Sequence, residues 1–242
     1  MDNGLKIIHY QLSIIHYHLS IIHYPLSSIH YPLSTIHYLI MKIFCIGRNY
    51  AEHAKELNNA VPTKPLVFMK PPTALLLDGK PLFYPDFTKN LHHELEIVLK
   101  ISKNGKAIQP EFANRYYDKI ALGIDFTARD VQDELKAKGQ PWELAKAFDN
   151  SAVLSDFRPL SNFEVSDIKF QLTKNGEPVQ VGTTADLIFS FDTLVAYVSQ
   201  FFTLQQGDLI YTGTPAGVGP VKVGDVLEGF LEGEKLLVCE IK

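Results

Sequence analysis

The sequence predicts an α+β fold dominated by strands, a sandwich or roll. Short apolar runs recur along it, bounded by Gly, Pro and Asn, the residues that end strands and make turns. Helical periodicity is confined to a few segments. Two Asn-Gly dipeptides mark turns: Asn104-Gly105 closes a strand-like run, and Asn175-Gly176 sits where two strands would turn back as a hairpin.

In chain order, KIFCIG (42–47) reads as a short buried strand ending at Gly47. RNYAEHAKEL (48–57) follows as a short helix with no Gly or Pro, and Pro62 and Pro65 prevent its continuation. LVFMK (66–70) and PLFYP (81–85) read as strands, the first ended by Pro71-Pro72. LHHELEIVLKIS (91–102) reads as one strand closing at Asn104-Gly105. IALGIDFTA (120–128) is strand-like, and RDVQDELKAKG (129–139) is a helix stopped at Gly139. IKFQLTKNGEPVQVG (168–182) is a hairpin across Asn175-Gly176. DLIFSFDTLVAYVSQFF (186–202) is a helix with Leu187, Phe191, Leu194, Val198 and Phe201 on one face. DLIYTGTP (208–215) is a strand entering a turn, and GDVLEGFLEGEKLLVCEIK (224–242) is a terminal β ribbon.

The chain has 242 residues, enough for one domain with a sizeable core. Hydrophobic residues make up 46% and charged residues 21%, the balance of a soluble globular protein. A net charge of −4 without a basic block gives nucleic acid no footprint. No apolar run approaches the roughly 20 residues that cross a bilayer. Cys45 and Cys239 are far apart and no CxxC pair exists, so the expectation is two buried thiols in a reducing, cytoplasmic compartment. GTPAGVGP is glycine-rich but lacks the Lys-Ser/Thr of a phosphate loop.

Residues 7–40 repeat every seven residues and hold six of the nine histidines: His9, His16, His18, His23, His30 and His37. Pro25 and Pro32 share a heptad position and would break a coiled coil. A His-rich metal tract would bind loosely, and a signal peptide lacks its basic, apolar and cleavage regions. A near-perfect heptapeptide repeat resembles a translated tandem DNA repeat. The expectation is an extension over residues 1–40 that is disordered or lies upstream of the true start, and a single domain over 41–242 opened by Met41.

Four groups of residues could do chemistry. Glu94 and Glu96, two apart on a strand, point to one face and repel unless a cation lies between them. A hard cation, Mg²⁺, Mn²⁺ or Ca²⁺, would resolve this, and a solvent-facing stripe on an edge strand is the competing reading. Asp125 stands alone among apolar residues and needs a partner there, either a metal or the helix that follows. Arg129 and Gln132, three apart, share a helix face, with Lys146 as a further polar candidate; exposed polarity is the alternative. His53 and Glu56, also three apart, form a possible oriented base or an ordinary surface pair.

The segments IGRNYAEHAKEL, FMKPPTALL, NLHHELEIVLKI, GIDFTARDVQDELKAKGQPWELAKAFD and GDLIYTGTPAGVGPVKVGD, in that order, resemble the fumarylacetoacetate hydrolase superfamily. They are most similar to its short acylpyruvase and oxaloacetate decarboxylase branch, and the resemblance covers residues 41–242. It implies a mixed β-sandwich roll with a short lid helix, usually a homodimer. It implies that Glu94, Glu96 and Asp125 hold Mg²⁺ or Mn²⁺. It implies that Arg129, Gln132 and Thr214 bind a small 2-oxo acid, that His53, Glu56 and Lys146 are catalytic, and that Arg48 is a candidate for a distal carboxylate. The implied reaction is hydrolysis of an acylpyruvate or decarboxylation of oxaloacetate through a metal-held enolate. Isomerases of unsaturated 2-oxo dicarboxylates and oxaloacetate tautomerases share that chemistry, and a non-catalytic ligand-binding module is the remaining alternative. Neither nucleic acid nor membrane is implied as a partner.

Overall fold

The computed structural model describes residues 41–56, 60–77 and 79–242, so the expectation for residues 1–40 lies outside the described residues. Strand β1 (Ile43–Gly47) leads into helix α1 (Ala51–Glu56). Strands β2 (Leu66–Lys70), β3 (Leu75–Leu77), β4 (Leu91–His93), β5 (Leu95–Ile101), β6 (Tyr117–Asp125) and β7 (Thr127–Ala128) follow. Helices α2 (Arg129–Ala137) and α3 (Glu143–Lys146) precede β8 (Ala152–Leu154) and β9 (Arg158–Pro159). The hairpin β10 (Lys169–Lys174) and β11 (Glu177–Thr183) leads to helix α4 (Phe191–Phe201). Strands β12 (Leu209–Tyr211), β13 (Gly219–Pro220), β14 (Val226–Leu231) and β15 (Glu234–Glu240) complete the chain.

The large mixed sheet runs β2-β1-β12-β5-β6-β8-β3, with β9 beside β6. A second sheet runs β11-β10-β14-β15, and a small third one runs β13-β4-β7. Strand β5 lies between β12 and β6, and both of its faces are covered. Leu95, Ile97, Leu99 and Ile101 enter the main core, while Val98 packs on the other face with Cys45, Ala121 and Tyr211. A strand buried on both faces reads as a nearly continuous apolar run, which makes Glu96 within it conspicuous. The two cysteines lie in different clusters, both buried and not joined as a disulfide.

Four expectations change. The run at 91–102 is two strands broken at Glu94, and the run at 120–128 is broken at Phe126. At both breaks the chain passes between the small and the large sheet, and the Asp125 N–H donates to the Glu94 carbonyl at 2.8 Å. PLFYP is not a regular strand: prolines at both ends limit pairing to the Leu82–Ile241 bridge and the Tyr84 N–H, which donates to the Lys242 carbonyl. Helix α4 starts at Phe191, where the Ser190 hydroxyl caps the Thr193 N–H. Leu187 therefore lies outside it, Phe201 is 59% exposed, and Val195 joins Phe191, Leu194 and Val198 on the buried face.

The Asn175-Gly176 turn has both residues at positive φ, 55° and 86°, as a two-residue type I′ hairpin requires. Asp225 fastens this turn to the ribbon. Its carboxylate accepts from Asn175 Nδ2 and from the Lys222 N–H, each at 2.9 Å. Burial alone would raise the Asp225 pKa, but these hydrogen bonds and nearby lysines hold it below the usual carboxylate value. Its stabilisation is therefore present above the unfolded carboxylate pKa and lost as pH falls through the lower folded value. Replacing Asp225 with alanine should cost about 2 kcal/mol at neutral pH and flatten the acid limb of a stability–pH curve measured by urea unfolding.

Candidate active site

The two strand breaks set up the site. Glu94 occupies the β4–β5 junction, Glu96 follows on β5, and Asp125 ends β6 against them. All three side chains are buried, and one carboxylate oxygen from each lies within 4.8 Å of the others. The surface-stripe reading fails because β5 is an interior strand. Gly123, paired with Glu96, is required here: a Cβ would fall 2.4 Å from the Tyr211 ring that packs beneath.

Cations meet two of the three carboxylates. Lys146 Nζ stands 2.7 Å from Glu94 Oε2 and 2.7 Å from Asp125 Oδ2. The Arg129 guanidinium pairs with Glu94 Oε1. Lys70 Nζ lies 2.8 Å from Asp125 Oδ1 and also donates to Ser151 Oγ and the Lys146 carbonyl. Although burial opposes it, Lys146 and Arg129 hold the Glu94 carboxyl well below its usual range. The Asp125 and Glu94 carboxylates keep the Lys146 ammonium charged despite burial, raising its pKa.

Glu96 has no such partner. Its Oε2 accepts the Gly213 N–H at 2.7 Å, and among the described residues no cationic side chain is in ion-pair contact with it. Burial and the neighbouring Asp125 and Glu94 charges push its pKa well above the ordinary value. An all-oxygen donor set with one uncompensated buried carboxylate fits a hard divalent cation. Gly213 can present its N–H because it sits at φ 102° against Asn49, where a Cβ would come within 2.6 Å.

The carboxylates open onto a narrow cleft walled by Arg48, His53, Phe68, Gln132, Trp142 and Thr214 among others. On α1, His53 Nδ1 is 3.1 Å from Glu56 Oε2, and Glu56 Oε1 accepts the Gly217 N–H at 3.0 Å. This pins the dyad to the loop after Thr214 and leaves the far side of the imidazole for the cleft. Gln132 Oε1 accepts from Arg129 Nη1 at 2.6 Å and Lys136 Nζ at 3.0 Å, so its amide NH₂ is the group left for a ligand. Thr214 Oγ donates to the Leu95 carbonyl and accepts from Gln180 Nε2, both at 2.8 Å. Its hydroxyl proton is thus committed to the strand. The sequence-predicted residues Arg48, His53, Glu94, Glu96, Asp125, Arg129, Gln132, Lys146 and Thr214 all line this one cleft, with Glu56 behind His53.

Two supporting residues escaped the sequence reading. Lys70, a lone lysine in the apolar run LVFMK, carried the same signal as Asp125, an isolated charge on a buried strand. Gln180 is buried on β11 and accepts from His93 Nδ1 and the Leu95 N–H, both at 3.0 Å. It also donates to Thr214 and Pro215, so one amide ties the strand break at Glu94 to the Thr214 turn. Replacing Gln180 with leucine takes the acceptor from the Leu95 N–H and His93 Nδ1 and should cost about 2–3 kcal/mol, read by thermal unfolding.

The model of the family "fumarylacetoacetate (FAA) hydrolase C-terminal" matches residues 42–240. The chain is 46% identical over 192 residues to the human mitochondrial oxaloacetate tautomerase FAHD1, covering 79% of this chain and 87% of that protein. It is 43% identical over 199 residues to the Escherichia coli oxaloacetate tautomerase YcgM, covering 81% and 91%. A fumarylpyruvate hydrolase from Pseudomonas aeruginosa, solved with Mn²⁺ and pyruvate, superposes with a TM-score of 0.79 at 37% identity over 84% of this chain and 89% of that one. Fold, buried acidic site and sequence agree with the resemblance carried by the motifs: the chain is an enzyme of the fumarylacetoacetate hydrolase family.

Proposed function

We propose that this protein, loaded with a divalent cation, interconverts the enol and keto forms of a small 2-oxo acid, with oxaloacetate foremost. The observation that carries the reading is the shared cleft, which joins a buried carboxylate triad to a hydrogen-bonded His–Glu dyad. The naming of relatives more than 40% identical as oxaloacetate tautomerases supports it. Glu94, Glu96 and Asp125 would hold Mg²⁺ or Mn²⁺, which would polarise the 2-oxo group and stabilise negative charge on its oxygen. The Gln132 NH₂ and the Arg129 side chain would orient the substrate's carboxylate and 2-oxo oxygens. Lys146 would donate toward the oxygen that loses its proton, since it is held charged by two carboxylates. His53, oriented by Glu56, would deliver a proton to C3 and recover one from the enol hydroxyl by way of solvent, so that no net proton is consumed. Cleft walls of Phe68 and Trp142 limit water around the reacting carbon.

Hydrolysis of an acylpyruvate is a second reading, supported by the fumarylpyruvate hydrolase likeness. A base that transfers protons to carbon can equally take one from water, and the two readings differ in what His53 faces. Replacing His53 with alanine should slow enol loss from oxaloacetate about 10²–10⁴-fold, followed by ultraviolet absorbance with Mg²⁺ present. Product analysis decides between readings: keto-oxaloacetate supports tautomerisation, and pyruvate plus acetate from acetylpyruvate supports cleavage. Unchanged enol loss in the variant overturns the role of His53.

A further inference from the structure

Every cation deep in the site is matched by a carboxylate: Lys70 by Asp125, Arg129 by Glu94, and Lys146 by both. Two cations lining the same cleft are not. Among the described residues, neither Lys136 nor Arg48 has a carboxylate in ion-pair contact. Both are only half exposed. Lys136 Nζ touches the neutral Gln132 Oε1 at 3.0 Å and stands 5.5 Å from the centroid of the Trp142 ring. Burial lowers its pKa and the Arg129 and Arg48 charges lower it further, and the Asp133 and Glu94 carboxylates only partly offset this, so neither cation at this end of the cleft is closely paired.

Arg48 is held there against its own preference. It has φ 61°, a left-handed conformation that costs a residue with a Cβ about 1 kcal/mol or more. Its neighbour Asn49 fixes that turn: the buried amide donates to the Thr212 and Phe189 carbonyls and accepts the Phe189 N–H. Backbone strain so heavily braced is a mark of a functional position.

We infer that Lys136 and Arg48 form a subsite for the distal carboxylate of the substrate, so that the cleft selects 2-oxo dicarboxylates over 2-oxo monocarboxylates. The inference rests on the proposed function for the position of the substrate's 2-oxo acid end at the metal-binding triad. A second carboxylate extending past Gln132 meets the one pair of cleft cations that makes no ion pair among the described residues. Lys136 also braces Gln132, and that structural role would affect every substrate alike.

The test uses the Mg²⁺-loaded enzyme with oxaloacetate and with its 4-methyl ester, which keeps the 2-oxo acid end and lacks the distal charge. Wild type should prefer oxaloacetate through KM. Lys136→Gln should raise the oxaloacetate KM roughly tenfold and collapse that preference, Arg48→Gln should do so in the same direction, and Lys136→Arg should retain it. Equal losses on both substrates overturn the subsite and leave Lys136 as a brace for Gln132. Calorimetric titration with pyruvate and with 3,3-difluorooxaloacetate separates the subsite from the reaction. If wild type turns over neither substrate, the proposed reaction fails. Tighter binding of the dicarboxylate that is lost in Lys136→Gln then still upholds the subsite, and equal affinity for the two ligands overturns it.

Discussion

Replacing Glu96 with glutamine should lower kcat/KM for oxaloacetate enol at least about 10³-fold, because a divalent cation contributes several kcal/mol to stabilising charge on the 2-oxo oxygen. The loss should come with a second, opposite signature. Glu96 is the one carboxylate of the triad that makes no ion pair among the described residues, and burial with the Asp125 and Glu94 charges pushes its pKa up. Removing its charge removes a repulsion, so the metal-free variant should unfold no earlier than metal-free wild type, while the rise in Tm that Mg²⁺ gives wild type disappears. A variant that is destabilised and still responds to Mg²⁺ would show that Glu96 is not a ligand.

Replacing Lys146 with methionine should reverse that pattern. The ammonium bridges Glu94 and Asp125 at 2.7 Å in a buried setting. Removing it leaves those carboxylates with Arg129 and Lys70 alone, and breaking a buried ion pair from one side costs about 3–5 kcal/mol. Mg²⁺ should restore much of that stability by supplying positive charge to the same oxygens. It should not restore turnover, which we expect to fall about 10²–10³-fold through loss of the donor to the reacting oxygen. Thermal unfolding with EDTA and with Mg²⁺, alongside steady-state rates, reads both effects. Recovery of activity together with stability would assign Lys146 a purely structural role.

Much of this site was legible from residue types alone. The E-x-E pair was visible because two carboxylates on one strand face repel without a cation between them, and Asp125 because a charge within an apolar run demands a partner. The Asn-Gly hairpin and the Gly139 helix stop were visible because backbone conformation there restricts the residue. What was not legible lies in tertiary pairing. One continuous strand through Glu94 satisfied the local pattern, and only the docking of the small sheet against the large one breaks it there. Lys70 meets Asp125 across 55 positions of sequence, and Gln180 reaches back to Leu95 across 85. No local periodicity encodes such contacts. Lys136 carried no sequence signal, because only the packing of its helix places it beside Trp142 and the cleft. The prolines of PLFYP permitted a strand in prospect, but the segment pairs with the ribbon only through Leu82 and Tyr84, too briefly to form a regular strand.

The most direct measurement is the decay of oxaloacetate enol absorbance in the presence of the protein, with Mg²⁺ and then with excess EDTA, each set against the same buffer without protein. The account predicts protein-dependent decay that EDTA abolishes and added Mg²⁺ restores, with keto-oxaloacetate as the product. Decay at the buffer rate with Mg²⁺ present, or protein-driven decay indifferent to EDTA, would contradict it.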